Sequence, residues 1–238
     1  STTVHIDAAE LVLGSPDEPT ASPSTKPIPV PPFNIMAYEV PVGDFTRWCQ
    51  SKTGKEHCAG WQRAEAWQNS EHPVVNVSWH EASAYCENWG GRLPTESEWE
   101  LAARGSERRT YPWGSEWATG RANYCDLGCE SPYLPPTYED DGTPQTAVVD
   151  SFAQGATAQG VYHLAGNVSE WTMDCWTTGH ARRMDWRAGS AACQLRVKRG
   201  GSWKQPVPTL TGWYRSSMRS EARSNQVGFR CLRGRDPS

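Results

Sequence analysis

PVVNVSWHEASAYCENWGGRLPTESEWELAARG, running from Pro73 to Gly105, decides the fold because it writes out two helix starts in full. Ser78 stands three residues before Glu81, and Thr95 three before Glu98. In each pair the hydroxyl accepts from an exposed backbone N–H while the glutamate reaches back to the cap's own N–H, the reciprocal arrangement of a capping box. The first helix then sets Ala82, Tyr85, Cys86 and Trp89 on one face, and Gly90-Gly91 supplies a left-handed stop. The second turns Trp99, Ala102 and Ala103 inward and ends at Gly105. Ahead of both, Val74, Val75 and Val77 form a short β-type run bounded by Pro73, so the local expectation is strand, helix, tight turn, helix.

Working outward, TVHID predicts a first strand between Ser1 and Val12. Pro16 to Pro32 holds seven prolines among Ser and Thr and is too poor in apolar residues to pack alone, so a surface loop is expected there. Phe33 to Glu39 reads as a strand, and Val42, Phe45, Trp48 and Cys49 at helical spacing predict a short helix stopped by Gly54. Lys55 to Ser70 reads as loop, Tyr111-Pro112-Trp113-Gly114 as a turn, and Arg121 to Gly160 as irregular, with a turn at Asp141-Gly142. Val148–Phe152, Val161–Leu164 and Glu170–Thr172 are short strands or bends, and Gly228–Cys231 is a final core strand. Gly200-Gly201 and Gly228 allow close backbone packing, and no internal repeat is visible.

At 238 residues the chain is most simply one domain spanning 1–238. With 13 Trp but only 37% apolar residues, its core has to rest on a few large aromatic anchors. A net charge of −4, with no basic run interleaved with aromatics, excludes a nucleic-acid interface. No apolar stretch approaches the roughly 18 residues of a membrane span. The opening STTVHIDAAE lacks a signal-peptide pattern, so any such peptide is expected to be removed already or never present. Eight cysteines in a loop-rich chain favour disulfides and a secreted, periplasmic or extracellular setting, the alternative being reduced thiols in a cytosol. Proximity suggests Cys49–Cys58, Cys125–Cys129 and Cys175–Cys193. Cys125-x3-Cys129 has no His pair to complete a zinc site, and among the six histidines no two have the spacing of an iron-ligand motif. The sequons Asn76-Val77-Ser78 and Asn167-Val168-Ser169 fall inside core motifs and read as chance.

The stretch at Pro73–Gly105, together with PFNIMAYEVPVGDF at Pro32–Phe45, YPWG at Tyr111–Gly114, YHLAGNVSEW at Tyr162–Trp171, RGGSW at Arg199–Trp203 and VGFRC at Val227–Cys231, resembles the formylglycine-generating enzyme (sulfatase-modifying factor) family. The likeness runs from about Ala9 to Arg233. It implies an α+β fold, an irregular and loop-rich variant of the C-type lectin domain, and a Cys86–Cys231 disulfide.

The resemblance also implies chemistry, and here the chain departs from its pattern. The family's oxidase uses a Cys-x4-Cys pair after RGGS to bind Cu(I), which needs soft thiolates. In Lys204–Trp213 those positions carry Pro206 and Thr211, so no copper is expected. Where relatives read Gly-Asn-x-Trp-Glu-Trp, with the Trp walling an oxygen pocket, this chain has Ser169; Ser202 of that pocket matches. The family's Ca²⁺ ligands fall on Asn123, Tyr124, Asp141 and Thr143, the oxygen-donor mix that calcium takes, against the plainer reading of an Asp-Gly turn. A second family calcium site falls on Gly166, Val168 and Glu170, but begins here with His163, a poor calcium ligand.

The groove beside the missing cysteines binds an extended peptide in relatives, and here it is followed by Trp203, Trp213, Tyr214, Arg215, Met218 and Arg219. Aromatic and arginine side chains on a rigid frame make binding hot spots, although each is as readily explained as core or as a buried ion-pair partner. The expectation is a calcium-stabilised, non-catalytic binding or sensing module for a peptide, protein or small molecule. The alternative is an oxidoreductase of the same superfamily acting on a substrate other than a sulfatase, such as a siderophore precursor. By fold-level analogy, related domains bind ligands in the variable proteins of diversity-generating retroelements and occur in bacterial kinases.

Overall fold

A computed structural model describes residues 2–16, 23–24, 26–61, 67–127, 129, 139–177 and 193–234. Both capping boxes close. Ser78 starts α2 (Trp79–Asn88) and Thr95 starts α3 (Glu96–Arg104), each hydroxyl accepting from the N–H three residues on while the glutamate accepts from the cap's N–H. Gly90, at φ +84°, ends α2 in the left-handed conformation that a side chain would strain. The first helix, α1 (Val42–Cys49), follows Pro41 without a side-chain cap and is held instead by buried Val42, Phe45 and Trp48.

Strands β1 (Thr3–Ile6), β4 (Phe33–Met36) and β9 (Leu232–Gly234) form one antiparallel sheet in the order β1-β4-β9. β2 (Ala9–Leu11) pairs with β3 (Ile28–Val30) in a two-stranded ribbon. The largest sheet has the order β7-β6-β5-β8, from β5 (Ser169–Cys175), β6 (Leu195–Arg199), β7 (Arg215–Arg219) and β8 (Val227–Gly228). α3 packs against β2, β3, β5 and β6 and so ties the ribbon to the large sheet.

The aromatic-anchor expectation is met around Phe45, whose ring centroid lies 5.3 Å from Trp48, 5.0 Å from Trp61, 5.6 Å from Tyr85 and 6.0 Å from Phe229. Such pairs contribute about 0.5–1.5 kcal/mol each beyond the area they bury. A second core gathers Trp99, Leu101 and Val161 with the strands β1 to β4. A third joins Tyr111, Tyr124 and Leu210. The cysteines pair as Cys49–Cys58, Cys86–Cys231, Cys125–Cys129 and Cys175–Cys193, leaving no free thiol. Among the described residues no helix is long and apolar enough to cross a membrane.

Three local expectations need correction, and two strands arise where none was expected. Val74, Val75 and Val77 are buried but not in a strand, because Asn76 takes φ +56° and its N–H donates to Ser224 O rather than to a ladder. The proline-rich 16–32 segment contains β3: Val30 is buried, and Pro29, lacking an N–H, sits at an exposed position of a two-stranded ribbon. Residues 17–22 and 25 of that segment lie outside the described residues. Gly228–Cys231 is not one strand. Phe229 and Cys231 offer their carbonyls to Val40 and Met36 as the chain crosses from β8 to β9. Finally, β6 and β7 carry no strand signal that outweighs their charge, since LRVKR and RSSMR present five basic residues, of which Arg196, Arg199 and Arg215 are buried against partners far away in the chain.

Candidate functional site

The segment from β6 to β7 is held from beneath by α3. Arg199, fully buried at the end of β6, donates to Glu96 Oε1 at 3.0 Å, to Glu100 Oε2 at 2.6 Å and to the Gly212 carbonyl at 2.8 Å. Arg215, at the start of β7, forks onto Glu96 at 2.6 and 2.8 Å and lies over the Trp176 ring. Arg104 completes the set on Glu100 at 2.5 Å. The bidentate fork of Arg215 and the acceptors on both terminal nitrogens of Arg199 make such buried charges tolerable, although Arg199 Nε has no hydrogen-bond partner among the described residues. Both ends of the intervening loop are thereby fixed.

Within that loop Gly200 (φ +92°) packs on Trp99, and Gly201 (φ +72°) passes close beneath a turn of 3₁₀ helix at Val207–Leu210. A Cβ on Gly201 would stand 2.8 Å from the Thr209 carbonyl oxygen and 2.4 Å from Leu210 Cδ2. Pro206 and Thr211 flank this turn on either side. The Pro206 carbonyl accepts from the Thr209 N–H at 2.9 Å, and Thr211 Oγ1 donates to the Pro208 carbonyl at 3.3 Å. The two positions expected of a thiolate pair therefore brace a backbone turn.

Next to the turn, Ser202 is fully buried, with Oγ 3.4 Å from Gln205 Oε1 and 3.1 Å from Gln226 Oε1. Gln205 Oε1 also accepts from Ser169 Oγ at 3.4 Å, so the glutamine reaches the place where relatives carry the pocket Trp. Trp203 is half-buried, donates Nε1–H to the Asn225 carbonyl and meets Trp67 at 6.5 Å. The other expected groove residues are dispersed. Trp213 lies under Arg104, Tyr214 is half-buried beside the turn, Arg215 is in the ion network, and Arg219 is exposed near Glu221 at 3.6 Å. Sequence reasoning passed over Gln205, Gln226 and Trp67. Two glutamines close to RGGSW and VGFRC were the available signal.

The residues that the resemblance assigns to calcium come from two loops that meet. Asn123 is fully buried; its Nδ2 donates to the Gln145 carbonyl and to Asn167 Oδ1, while its Oδ1 has no hydrogen-bond partner. Asp141 accepts from the N–H groups of Tyr124 at 2.9 Å and Thr143 at 2.8 Å, and burial pushes its carboxyl up to about 6. A buried amide oxygen without a donor, one residue from the turn that anchors a desolvated carboxylate, is what a cation would satisfy, and the donor set fits calcium. The second set does not fit. Glu170 is fully buried and already neutralised by Arg230 at 2.7 Å on each oxygen, with Trp99 Nε1 at 2.9 Å. Gly166 and Val168 offer only backbone. His163 Nε2 faces the Val148 carbonyl at 3.3 Å, and burial, then Arg230, drives its imidazole down to about 3. Among the described residues no three His, Cys, Asp or Glu side chains converge as a metal centre.

The profile described as sulfatase-modifying factor enzyme 1-like domain matches residues 1–235. The chain is 36% identical to the formylglycine-generating enzyme of Mus musculus over 168 residues, 68% of this chain and 44% of that one. It is 35% identical to the inactive C-alpha-formylglycine-generating enzyme 2 of Bos taurus over 173 residues, 69% of this chain and 51% of that one. The chain thus spans about half the length of these curated relatives. Treponema denticola variable protein 1 superposes with a TM-score of 0.74 at 21% identity, covering 97% of this chain and 94% of that one, a likeness of fold alone.

Proposed function

The chain belongs to the family of sulfatase-modifying factor enzyme 1-like domains, and from that premise we propose that it is a calcium-stabilised module that binds a ligand in the family's groove without copper oxidation. The observation that carries this reading is the content of the former thiolate seats. Pro206 and Thr211 brace a 3₁₀ turn, and all eight cysteines are in disulfides, so no free thiolate remains for Cu(I). Gln205, reaching Ser169 and Ser202, fills the floor of the groove with amide and hydroxyl groups suited to hydrogen bonding. A relative of similar identity is itself named as inactive, which supports the same direction. The four disulfides fit an oxidising compartment, and we place the protein outside the cytosol.

In the calcium loops Asn123 and Asp141 would supply side-chain oxygens and Tyr124 and Thr143 carbonyls. When bound, the ion supplies charge that neutralises Asp141 and fixes the loops. The test combines metal analysis with an activity assay on the full chain. The expected result is one calcium and no copper or iron per chain, and no aldehyde from a sulfatase-derived cysteine peptide supplied with Cu(I) and O₂. Aldehyde formation, or stoichiometric copper or iron, overturns the proposal in favour of an oxidoreductase.

A further inference from the structure

Lys198 lies within β6, opposite Ser216 of β7 and opposite Trp171 of β5. Its Nζ donates to Ser216 Oγ at 2.9 Å, and both residues are half-buried. None of the ion pairs among the described residues includes Lys198. On the same face of β6 the neighbouring charge is Arg196, two residues away, whose guanidinium lies 3.8 Å over Trp79, donates to the Met173 carbonyl and feels Asp174. Met218 and Trp171 are the apolar neighbours on β7 and β5. Burial alone pushes the Lys198 ammonium down to about 8, so its neutral form is within reach at mildly alkaline pH.

A serine hydroxyl in hydrogen-bond contact with an amine that can be neutral is the pairing by which a weak nucleophile is activated. Among the described residues β7 stands at the edge of its sheet, so alternate N–H groups along it turn away from β6, where an acyl oxygen gaining negative charge would find donors. We propose that Ser216 and Lys198 form a nucleophile–base pair that accepts an acyl group from an activated ester or thioester. Ser216 Oγ attacks the acyl carbon and its proton passes to Lys198 Nζ. The bond to the leaving oxygen or sulfur then breaks, and Lys198 returns the proton to it. The products are acyl-Ser216 and an alcohol or thiol, with no change of oxidation state. This inference goes beyond ligand binding in the groove and does not depend on it.

The test treats the folded full chain with 4-nitrophenyl acetate and, separately, with a fluorophosphonate, followed by intact mass and peptide mapping. The expected result is one adduct per chain on Ser216, absent from Ser216→Ala. Lys198→Met is expected to slow acylation about 10²-fold or more. In the unsubstituted protein, which needs no variant to fold, the rate should rise with pH through an inflection near 8. Absence of an adduct, an adduct elsewhere, a rate indifferent to Lys198→Met, or a flat pH profile from 6.5 to 9.5 overturns the inference.

Discussion

His163 and Glu39 bias the stability of the fold with pH in opposite senses. His163 is buried with its imidazole depressed to about 3, so between the ordinary value near 6.5 and that depressed value the unfolded chain binds a proton that the folded chain refuses. Its stabilising contribution is full above the unfolded value and is lost as pH falls. Unfolding free energy should drop by about 2 kcal/mol between pH 7 and 5. His163→Asn, which tolerates the φ of +54°, should remove most of that slope in urea titrations at the two pH values. Glu39 is the converse: burial first, then Glu170, hold its carboxyl well above the usual carboxylate range. The folded chain therefore favours the protonated acid, and the contribution is lost as pH rises through the raised value. Glu39→Gln keeps an acceptor for Asn167 and should flatten the fall in stability as pH rises above the ordinary carboxylate range, as thermal melts across pH would register.

At the scale of elements, α2 and α3 do different work although both start with the same device. Ser78 caps α2, and its partner Glu81 also takes Arg223, which anchors the approach to β8. Ser78→Ala should lower stability by about 1 kcal/mol, read as a fall of about 2–4 °C in the melting midpoint. α3 carries the heavier burden because Glu96 faces two buried arginines, Arg199 and Arg215, from β6 and β7. Glu96→Gln leaves both guanidiniums short of charge in a dry site and should cost about 3–5 kcal/mol by chemical denaturation. A loss below about 1 kcal/mol would mean that the network does not organise the β6–β7 loop.

For the whole molecule, the disulfides differ in what they close. Cys86–Cys231 spans 145 residues and joins α2 to the chain just ahead of β9, whereas Cys125–Cys129 spans 4. Removing the long bridge with Cys86→Ala and Cys231→Ala should cost about 2–5 kcal/mol, measured by urea unfolding, since it frees the larger loop of the unfolded chain. Removing the short one should cost less. Equal losses would show that loop length is not what matters in this fold.

Much of the site was legible in single residues. Pro206 and Thr211 told that the thiolate pair is missing, and Asn123 with Asp141 marked the loops that the structure brings together. The dispersal of Trp213, Arg215 and Arg219 was not legible, because each is assigned by a partner elsewhere: Arg104 for the first, Glu96 for the second, Glu221 for the third. β6 and β7 were missed for the same reason. Charged strands look like surface until the helix that neutralises them is placed.

By itself the sequence determined the helix starts at Ser78 and Thr95, the stop at Gly90 and the absence of cysteine at positions 206 and 211, since each depends on groups within a few residues of one another or on which side chain the chain carries. Only the tertiary structure decided which face of the large sheet carries Lys198 and Ser216 and which arginines are buried. Those outcomes rest on pairings such as Glu96 with Arg215, 119 residues apart, and Glu170 with Arg230, 60 apart. Their energy exists only after topology has removed both partners from water together.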